Sequence, residues 1–181
     1  VQHLYDLGHR RIGYVGVKNR PGSNARRLQG YRMVLQEHGI DPSPDWICMN
    51  ENGITEGLDG DLRAGLELGR KVLRQDVTAI FCYCDSVAAG VLAACREQNL
   101  DVPGQVSIMG FDDSDLCQIL CPPLTTIHQP MREMGQMALN MLTATLSGNP
   151  VTDQTLQPSL VIRGSTAPVV AIRADTPQEN G

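Results

Sequence analysis

The apolar positions of the chain form short continuous runs that alternate with longer helical repeats. Apolar runs bounded by glycine or turn residues occur at 12–16, 46–49, 78–83 and 106–110, and each predicts a buried strand. A polar loop and a segment with apolar residues every three or four positions follow each run, which predicts a helix. Repetition of strand, loop and helix predicts an α/β protein with a doubly wound parallel sheet, covered by helices on both faces.

Further elements are expected on either side of these repeats. A short helix is predicted over 1–7, and Gly8 follows it as a stop signal. The glycine-rich, acidic stretch 50–60 is interpreted as a loop. Beyond the repeats we expect an extended link at 125–127, a helix over 130–146 with a methionine stripe, a last strand at 160–163 and a disordered tail over 167–181.

Charge and hydropathy exclude several classes of protein. Fifteen Lys and Arg against twenty Asp and Glu give a formal charge of −5, which argues against nucleic-acid binding by this chain itself. The longest apolar run, 77–84, is far too short to span a membrane, and no targeting segment is visible. Because the chain opens with Val1 at the start of a helix, we interpret it as a fragment.

The six cysteines argue for a reducing compartment. They form no CxxC pair and do not cluster with the four histidines as a zinc site requires, so no metal site is predicted. Most of them lie inside apolar strand or helix patterns, where a free thiol behaves as a small hydrophobic group. The simplest interpretation is a cytoplasmic protein.

A ligand site is expected where the carboxyl ends of parallel strands meet, because loops and helix N-termini converge at that edge. Polar residues follow all of the predicted strands, together with one aromatic residue. They are Asn19, Arg20, Ser23, Asn24, Arg26 and Arg27; Asn50, Glu51 and Asn52; Cys84, Asp85 and Ser86; and Phe111, Asp112, Asp113 and Asp115. Such a mixture of donors, carboxylates, amides and an aromatic ring suits a neutral polyol or sugar.

Simpler interpretations stand beside this one. Asp85 could serve only as a helix cap, and of the adjacent Arg26 and Arg27 only one is expected to face the cleft. The acidic cluster at 112–115 could hold Mg²⁺, but no suitable lysine follows. No glycine-rich nucleotide motif is present, so no cofactor is predicted, and no histidine is placed to serve a nucleophilic serine, so no catalytic residue is predicted.

Six segments of the chain, taken in order, indicate a relationship to a known family. LGHRRIGYVG, RRLQGY, TAIFCYCDSVAAGVL, LDVPGQVSIMGFDD, PPLTTIHQPMREMG and LVIRGST resemble, in order and spacing, the effector-binding domain of the lactose/galactose repressor family of bacterial transcription regulators. The resemblance covers about residues 1–166 and is closest to the galactose-type sugar repressors. It implies a periplasmic-binding-protein-like fold of two lobes with an effector in the cleft between them.

The resemblance also implies how the chain is divided. Residues 1–128 would form the near-complete C-terminal lobe, 129–155 the crossover and a helix of the N-terminal lobe, and 156–166 the return strand. The sheet that this helix should cover is missing, so we expect the helix over 130–147 to be under-packed. The DNA-binding helix-turn-helix and the hinge helix of the family are absent from this chain.

Four positions correspond to effector contacts of the family. Arg27 matches the arginine that binds ligand hydroxyls, Asp112 the carboxylate that receives them, and Cys84 with Asp85 the common Asn-Asp pair. Cys84 departs from the pattern, because a thiol cannot replace the donor and acceptor of an amide. Gln129, at the crossover, is also expected to line the cleft.

The resemblance implies a cytoplasmic, non-enzymatic regulator that binds a small sugar-like effector. It would act as a homodimer, with contacts through the helix at 86–98 and the segment 119–123, and would bind operator DNA through its missing N-terminal domain. An alternative for the helix at 86–98 is that its alanine face packs on its own sheet. Alternatives for the protein are a periplasmic sugar-binding protein of a transport system and a small α/β enzyme.

Overall fold

A computed structural model describes residues 1–18, 21–50 and 57–169. In chain order its helices and strands are α1 Gln2–Asp6, β1 Ile12–Gly16, α2 Pro21–Glu37, β2 Ile47–Met49, α3 Gly57–Val72, β3 Ala79–Cys82, α4 Asp85–Glu97, β4 Ser107–Met109, α5 Leu116–Ile119, β5 Thr126–His128, α6 Met131–Leu146 and β6 Ser159–Val161. The main sheet is parallel, with the strand order β2-β1-β3-β4. The predicted fold class is therefore confirmed.

Side chains on the two faces of the sheet enter two separate cores. On β1, Ile12 and Tyr14 pack with α1 and α2, whereas Val15 points to the face covered by α3 and α4. The same alternation places Phe81 of β3 on the first face and Ile80 on the second. Because both faces are covered, these strands carry apolar residues at nearly every position, as in other parallel sheets.

Helices α3 and α4 approach each other closely because glycine lies at their contact. A Cβ atom on Gly65 would lie 2.2 Å from the carbonyl oxygen of Val87, and one on Gly90 would lie 2.2 Å from that of Leu62. No side chain fits at either position. The glycines that lower the helix propensity of these segments are therefore needed for their packing.

The last strands leave the main sheet. Strand β5 is connected to the β4 segment by the parallel bridges Met109–Thr125 and Asp112–His128, and it pairs antiparallel with β6. Helix α6 follows β5, and none of its residues, all of which the structure describes, is buried. The expectation that this helix is under-packed agrees with its exposure.

Two predictions about irregular segments are wrong in part. The predicted loop 50–60 ends earlier, because α3 begins at Gly57. Glycine is tolerated there, since the first N–H groups of a helix have no intrahelical partner. In the predicted disordered tail, residues 167–169 are ordered: the amide of Ala167 donates to Ser107 Oγ and that of Val169 to the carbonyl of Leu7. The remainder of that tail, 170–181, lies outside the described residues.

A buried histidine fixes the returning segment to the amino ends of the strands. His9 is 3% exposed, and its Nδ1 lies 2.9 Å from Thr78 Oγ1 while its Nε2 lies 3.0 Å from the carbonyl oxygen of Ala167. Ser165 adds a link, because its hydroxyl donates to the carbonyl of Ile108 on β4. The chain therefore rejoins the main domain after β6. Among the helices in the described ranges, none has the length and apolarity that a membrane span requires.

Candidate ligand-binding cleft

A cleft of about 690 Å³ opens beside α2 and the carboxyl ends of β3 and β4. Its polar lining residues are Ser23, Arg26, Arg27 and Gln129. Its larger apolar and aromatic lining residues are Tyr31, Val34, Phe81, Phe111 and Ile127. The cleft lies at the edge of the sheet where the strand-end rule predicted a ligand site.

Arg27 of α2 lines the cleft and contacts two aromatic rings and a carboxylate. Its guanidinium carbon lies 3.9 Å from the centroid of the Phe111 ring and 4.5 Å from that of Tyr83. Its Nη1 donates to the carbonyl of Tyr83, and its Nη2 donates to Asp112 Oδ1 at 3.2 Å. The neighbouring Arg26 is exposed but also lines the cleft, so the expectation that only one of the two arginines faces the cleft is wrong. Stacking and ion pairing orient the guanidinium, and N–H donors remain for a ligand.

Asp112 lies in the loop after β4 and collects donors from two other elements. Its Oδ1 accepts hydrogen bonds from Arg27 and from the Gln129 amide, which follows β5. Within the described ranges its Oδ2 accepts no hydrogen bond, so a ligand hydroxyl can donate to it. Burial raises the pKa of Asp112, while Arg27 and Gln129 counteract part of that rise and Asp85 adds to it. The positively charged guanidinium favours the carboxylate form at the point where a hydroxyl would bind.

The structure brings Arg27, Asp112 and Gln129 together, but Cys84 engages a different carboxylate. Its Sγ donates to Asp61 Oδ2 at 3.8 Å, and both residues are buried. Burial raises the pKa of Cys84 to about 12, so the group is a neutral thiol. Within the described part of the chain, Cys84 makes no hydrogen bond to the other predicted contacts.

Asp85 binds the protein with both carboxylate oxygens. Its Oδ1 accepts from Thr126 Oγ1 at 2.6 Å, and its Oδ2 accepts from the amide and hydroxyl of Ser114 at 2.8 and 3.0 Å. The helix-cap interpretation is wrong, because Cys84 is the N-cap of α4 and the cap has no side-chain hydrogen bond. Asp85 instead joins α4 to the loop after β4 and to β5, and it is 1% exposed.

The other candidates have varied surroundings. Asn24 is buried inside α2 and accepts from Tyr14 Oη at 2.7 Å. Ser23 Oγ lies 2.8 Å from Tyr83 Oη, and Asn50 Oδ1 accepts from the amide of Lys18 at 2.8 Å. The candidates Asn19, Arg20, Glu51 and Asn52 lie outside the described residues.

Sequence reasoning missed two side chains beside the cleft residues. Tyr83 supports Arg27 with its ring and its carbonyl, but its position in an apolar run had marked it only as a strand residue. Asp61 contacts Cys84, but it directly follows the stretch that was interpreted as a loop. Asp61 lies on α3 and is 4% exposed. It could have been predicted as a buried acidic residue near the cleft only if the start of α3 had been placed correctly.

Comparison with known proteins shows which family this chain resembles. The sequence-family model of the periplasmic binding protein-like domain matches residues 1–166. The HTH-type transcriptional repressor CytR of Escherichia coli (strain K12) is 37% identical over 170 residues, which cover 92% of this chain and 48% of that protein. The ribose operon repressor of Haemophilus influenzae is 35% identical over 164 residues, which cover 90% and 48%. The chain thus spans about half the length of these curated relatives.

A solved structure agrees as well. The crystal structure of a LacI family transcriptional regulator from Enterococcus faecium, with bound ribose, superposes with a TM-score of 0.80 at 27% identity, covering 93% of this chain and 60% of that one. A parallel α/β sheet with a cleft at its carboxyl edge defines a ligand-binding domain of the periplasmic-binding-protein type. The chain belongs to the family of periplasmic binding protein-like domains. The resemblance to the effector-binding domain of the lactose/galactose repressors is confirmed.

Proposed function

We propose that this chain is the ligand-sensing part of a bacterial transcription regulator, in which a small sugar-like effector controls operator binding allosterically. One observation carries the proposal: Arg27, Asp112 and Gln129, from three different segments, are joined by hydrogen bonds, and Arg27 and Gln129 line the cleft together with the Phe111 ring. Such a site offers donors, acceptors and an aromatic face, as a hydroxylated ring requires. The ribose in the E. faecium regulator supports a sugar as the effector.

Within the proposed site the predicted residues have different roles. Arg27, Asp112 and Gln129 contact the effector directly, and the Oδ2 atom of Asp112 receives a hydroxyl. Asp85 holds the loop that carries Asp112, because it binds Ser114 in that loop and Thr126 on β5. Cys84 remains a proposed contact, and its neutral thiol gives a weaker hydrogen bond than an amide would.

The proposed division into lobes rests on the surroundings of α6. We assign residues 1–128 to the C-terminal lobe, 129–155 to the N-terminal lobe and 156–166 to the return. Met131, Leu142 and Leu146 of α6 are 66%, 56% and 80% exposed, which suits a helix that packs on a lobe outside this chain. Effector binding would then favour one arrangement of the two lobes.

The proposed assembly is a cytoplasmic homodimer that binds operator DNA through a segment outside this chain and has no enzymatic activity. CytR and the ribose operon repressor support this class by their names, and neither supports a role in transport. The alanine face of α4 packs on α3 and the sheet, which supports the alternative that this face packs within its own domain. Ile119 of α5, which is 80% exposed, remains the proposed dimer contact.

Thermal unfolding of the full-length regulator with added ligands tests the function. D-Ribose and other sugars, purine bases and inorganic phosphate are added separately, and operator binding is followed with each compound that raises the Tm. We expect a sugar to raise the Tm and to change operator affinity. Asp112→Asn should weaken sugar binding by about 10- to 100-fold, because a charge-assisted hydrogen bond contributes about 1.5–3 kcal/mol.

The matched control is Asp76→Asn at the amino edge of the sheet. Asp76 pairs with Arg11 on the surface, far along the strands from the cleft, so sugar binding should stay at the wild-type level. A purine base that raises the Tm while no sugar does would refute the sugar assignment. Turnover of any added compound would refute the sensor assignment in favour of an enzyme.

A further inference from the structure

Two consecutive aspartates after β4 direct their carboxylates to different parts of the molecule. Asp112 binds Arg27 and Gln129, two residues that line the cleft. Asp113 faces β5 and β6: its Oδ1 accepts from Arg163 Nη2 at 2.6 Å, and its Oδ2 lies 3.0 Å from His128 Nδ1. One short segment therefore contacts both the cleft and the strands through which the chain crosses over.

The backbone of this segment is held in an unusual conformation. Asp112 has a φ of 117° and Asp113 a φ of 60°, values that non-glycine residues rarely adopt. Such a conformation persists only where the surroundings fix it. Here the cleft residues Arg27 and Gln129 hold one side, and Arg163 with His128 holds the other. The backbone conformation of Asp112 and Asp113 therefore depends on both sets of contacts.

Arg163 extends the contact across both crossover strands. It follows β6 in the chain, yet its Nη1 donates to the carbonyl of Leu124 at 2.8 Å and its amide donates to Thr125 Oγ1 at 2.9 Å, just before β5. His128 ends β5, and the amide of Asp112 donates to the carbonyl of Ile127 on the same strand. Asp113 and Arg163 thus tie both strands to the loop that carries Asp112.

We propose that Asp113 and Arg163 are positioning residues that couple the conformation of Asp112 in the cleft to the crossover strands β5 and β6. The proposal deepens the proposed function, because it names the route by which an occupied cleft acts on the connection between lobes. Breaking the contact between Arg27 and Asp112 should accelerate hydrogen exchange in β5 and β6. It should do so only while Asp113 is present. Two independent sites would instead have separate effects.

Hydrogen exchange of the full-length protein tests this coupling without effector or DNA. Exchange is followed by mass spectrometry in peptides that cover 124–130 and 157–163, for wild type, Arg27→Met, Asp113→Asn and the double variant. We expect Arg27→Met to accelerate exchange in both peptides at least threefold. The double variant should exchange no faster than Asp113→Asn alone. Arg70→Met, which breaks the Arg70–Glu97 pair between α3 and α4, is the matched control and should leave both peptides unchanged.

Two results would overturn the proposal. One is crossover exchange in Arg27→Met that is no faster than in Arg70→Met. The other is a double variant in which the two accelerations multiply, which means that the sites are independent. If Asp113→Asn does not fold, Arg163→Lys replaces it, since Lys keeps the charge but cannot make both contacts of the guanidinium. Because no ligand is used, failure here leaves the sensor proposal intact, and failure of the sugar screen leaves this measurement valid.

Discussion

Helices α4 and α6 are both rich in apolar residues, yet their surroundings are opposite. In α4, buried residues include Val87, Val91 and Leu92, and the helix packs on α3 and on the sheet. In α6, all of whose residues are described, none is buried. A pattern of apolar positions therefore predicts that a helix forms and which side is apolar. It does not state whether the surface that covers that side belongs to the same stretch of chain.

The largest expected difference between the two helices comes from glycine. Gly90→Ala in α4 places a Cβ atom 2.2 Å from the carbonyl oxygen of Leu62, and backbone cannot move aside as a side chain can. We expect the free energy of unfolding to fall by about 3 kcal/mol or more, the upper range for overpacking. Urea unfolding monitored by circular dichroism measures the loss.

The same substitution in α6 is the matched control. A Cβ atom on Gly135 would have nothing within 4 Å, so Gly135→Ala should only raise helix propensity and stabilise the helix by about 1 kcal/mol. Equal destabilisation by the two substitutions would mean that α6 is packed as closely as α4. The contrast between the helices would then be wrong.

The sequence predicted the sheet well because each strand carries its own signal. It placed β1 at its observed bounds, and the strand-end rule brought Arg27 and Asp112 to one edge. It could not predict which way side chains turn after a strand ends. Cys84 and Asp85 lie two and three residues after the end of β3, yet they bind Asp61 and the Ser114 loop. These partners depend on the exact start of α3 and on loop conformations that no local pattern encodes.

Long-range pairs were also beyond sequence reasoning. Arg163 and Asp113 are 50 positions apart. The sequence pattern assigns Arg163 to the end of a strand and Asp113 to an acidic cluster, and it does not indicate that the two residues form a pair. His128 contacts Asp113 at the crossover, 15 positions away in the chain. Such contacts follow from how β5 and β6 leave the sheet, which sequence periodicity does not specify.

Truncation of one leucine in each helix sharpens the comparison. Leu92 is 2% exposed, so Leu92→Ala should destabilise the chain by about 2–3 kcal/mol through lost burial and a cavity. Leu142 is 56% exposed, and Leu142→Ala should change the stability of the 181-residue chain by less than about 0.5 kcal/mol. Denaturant unfolding of both variants measures the difference.

The proposed full-length regulator supplies the decisive comparison for α6. If another lobe covers α6, Leu142→Ala should cost about 2 kcal/mol or more there, while the effect of Leu92→Ala stays the same. An unchanged, small effect of Leu142→Ala in the longer protein would contradict the assignment of α6 to a second lobe.

The smallest effect concerns the point where the returning chain rejoins the main domain. Burial lowers the pKa of His9; the hydrogen bond to the carbonyl of Ala167 counteracts this, and the nearby His3 and Arg10 add to the lowering. The folded state therefore favours neutral His9, whereas the unfolded chain titrates near 6.5. Stability is fully present above that pH and falls as the pH drops from 6.5 toward the folded pKa.

The replacement His9→Gln removes this titration and should flatten the pH dependence below 6.5, by at most about 1.4 kcal/mol per pH unit. Unfolding in urea at closely spaced pH values measures it, and values at pH 8 separate the loss of packing from the loss of titration. The difference between variant and parent isolates His9 from His3, whose pKa burial also lowers. An identical slope in both proteins would mean that the segment after β6 does not depend on His9. In that case Ser165, whose hydroxyl donates to the carbonyl of Ile108 on β4, would hold the returning chain against the sheet.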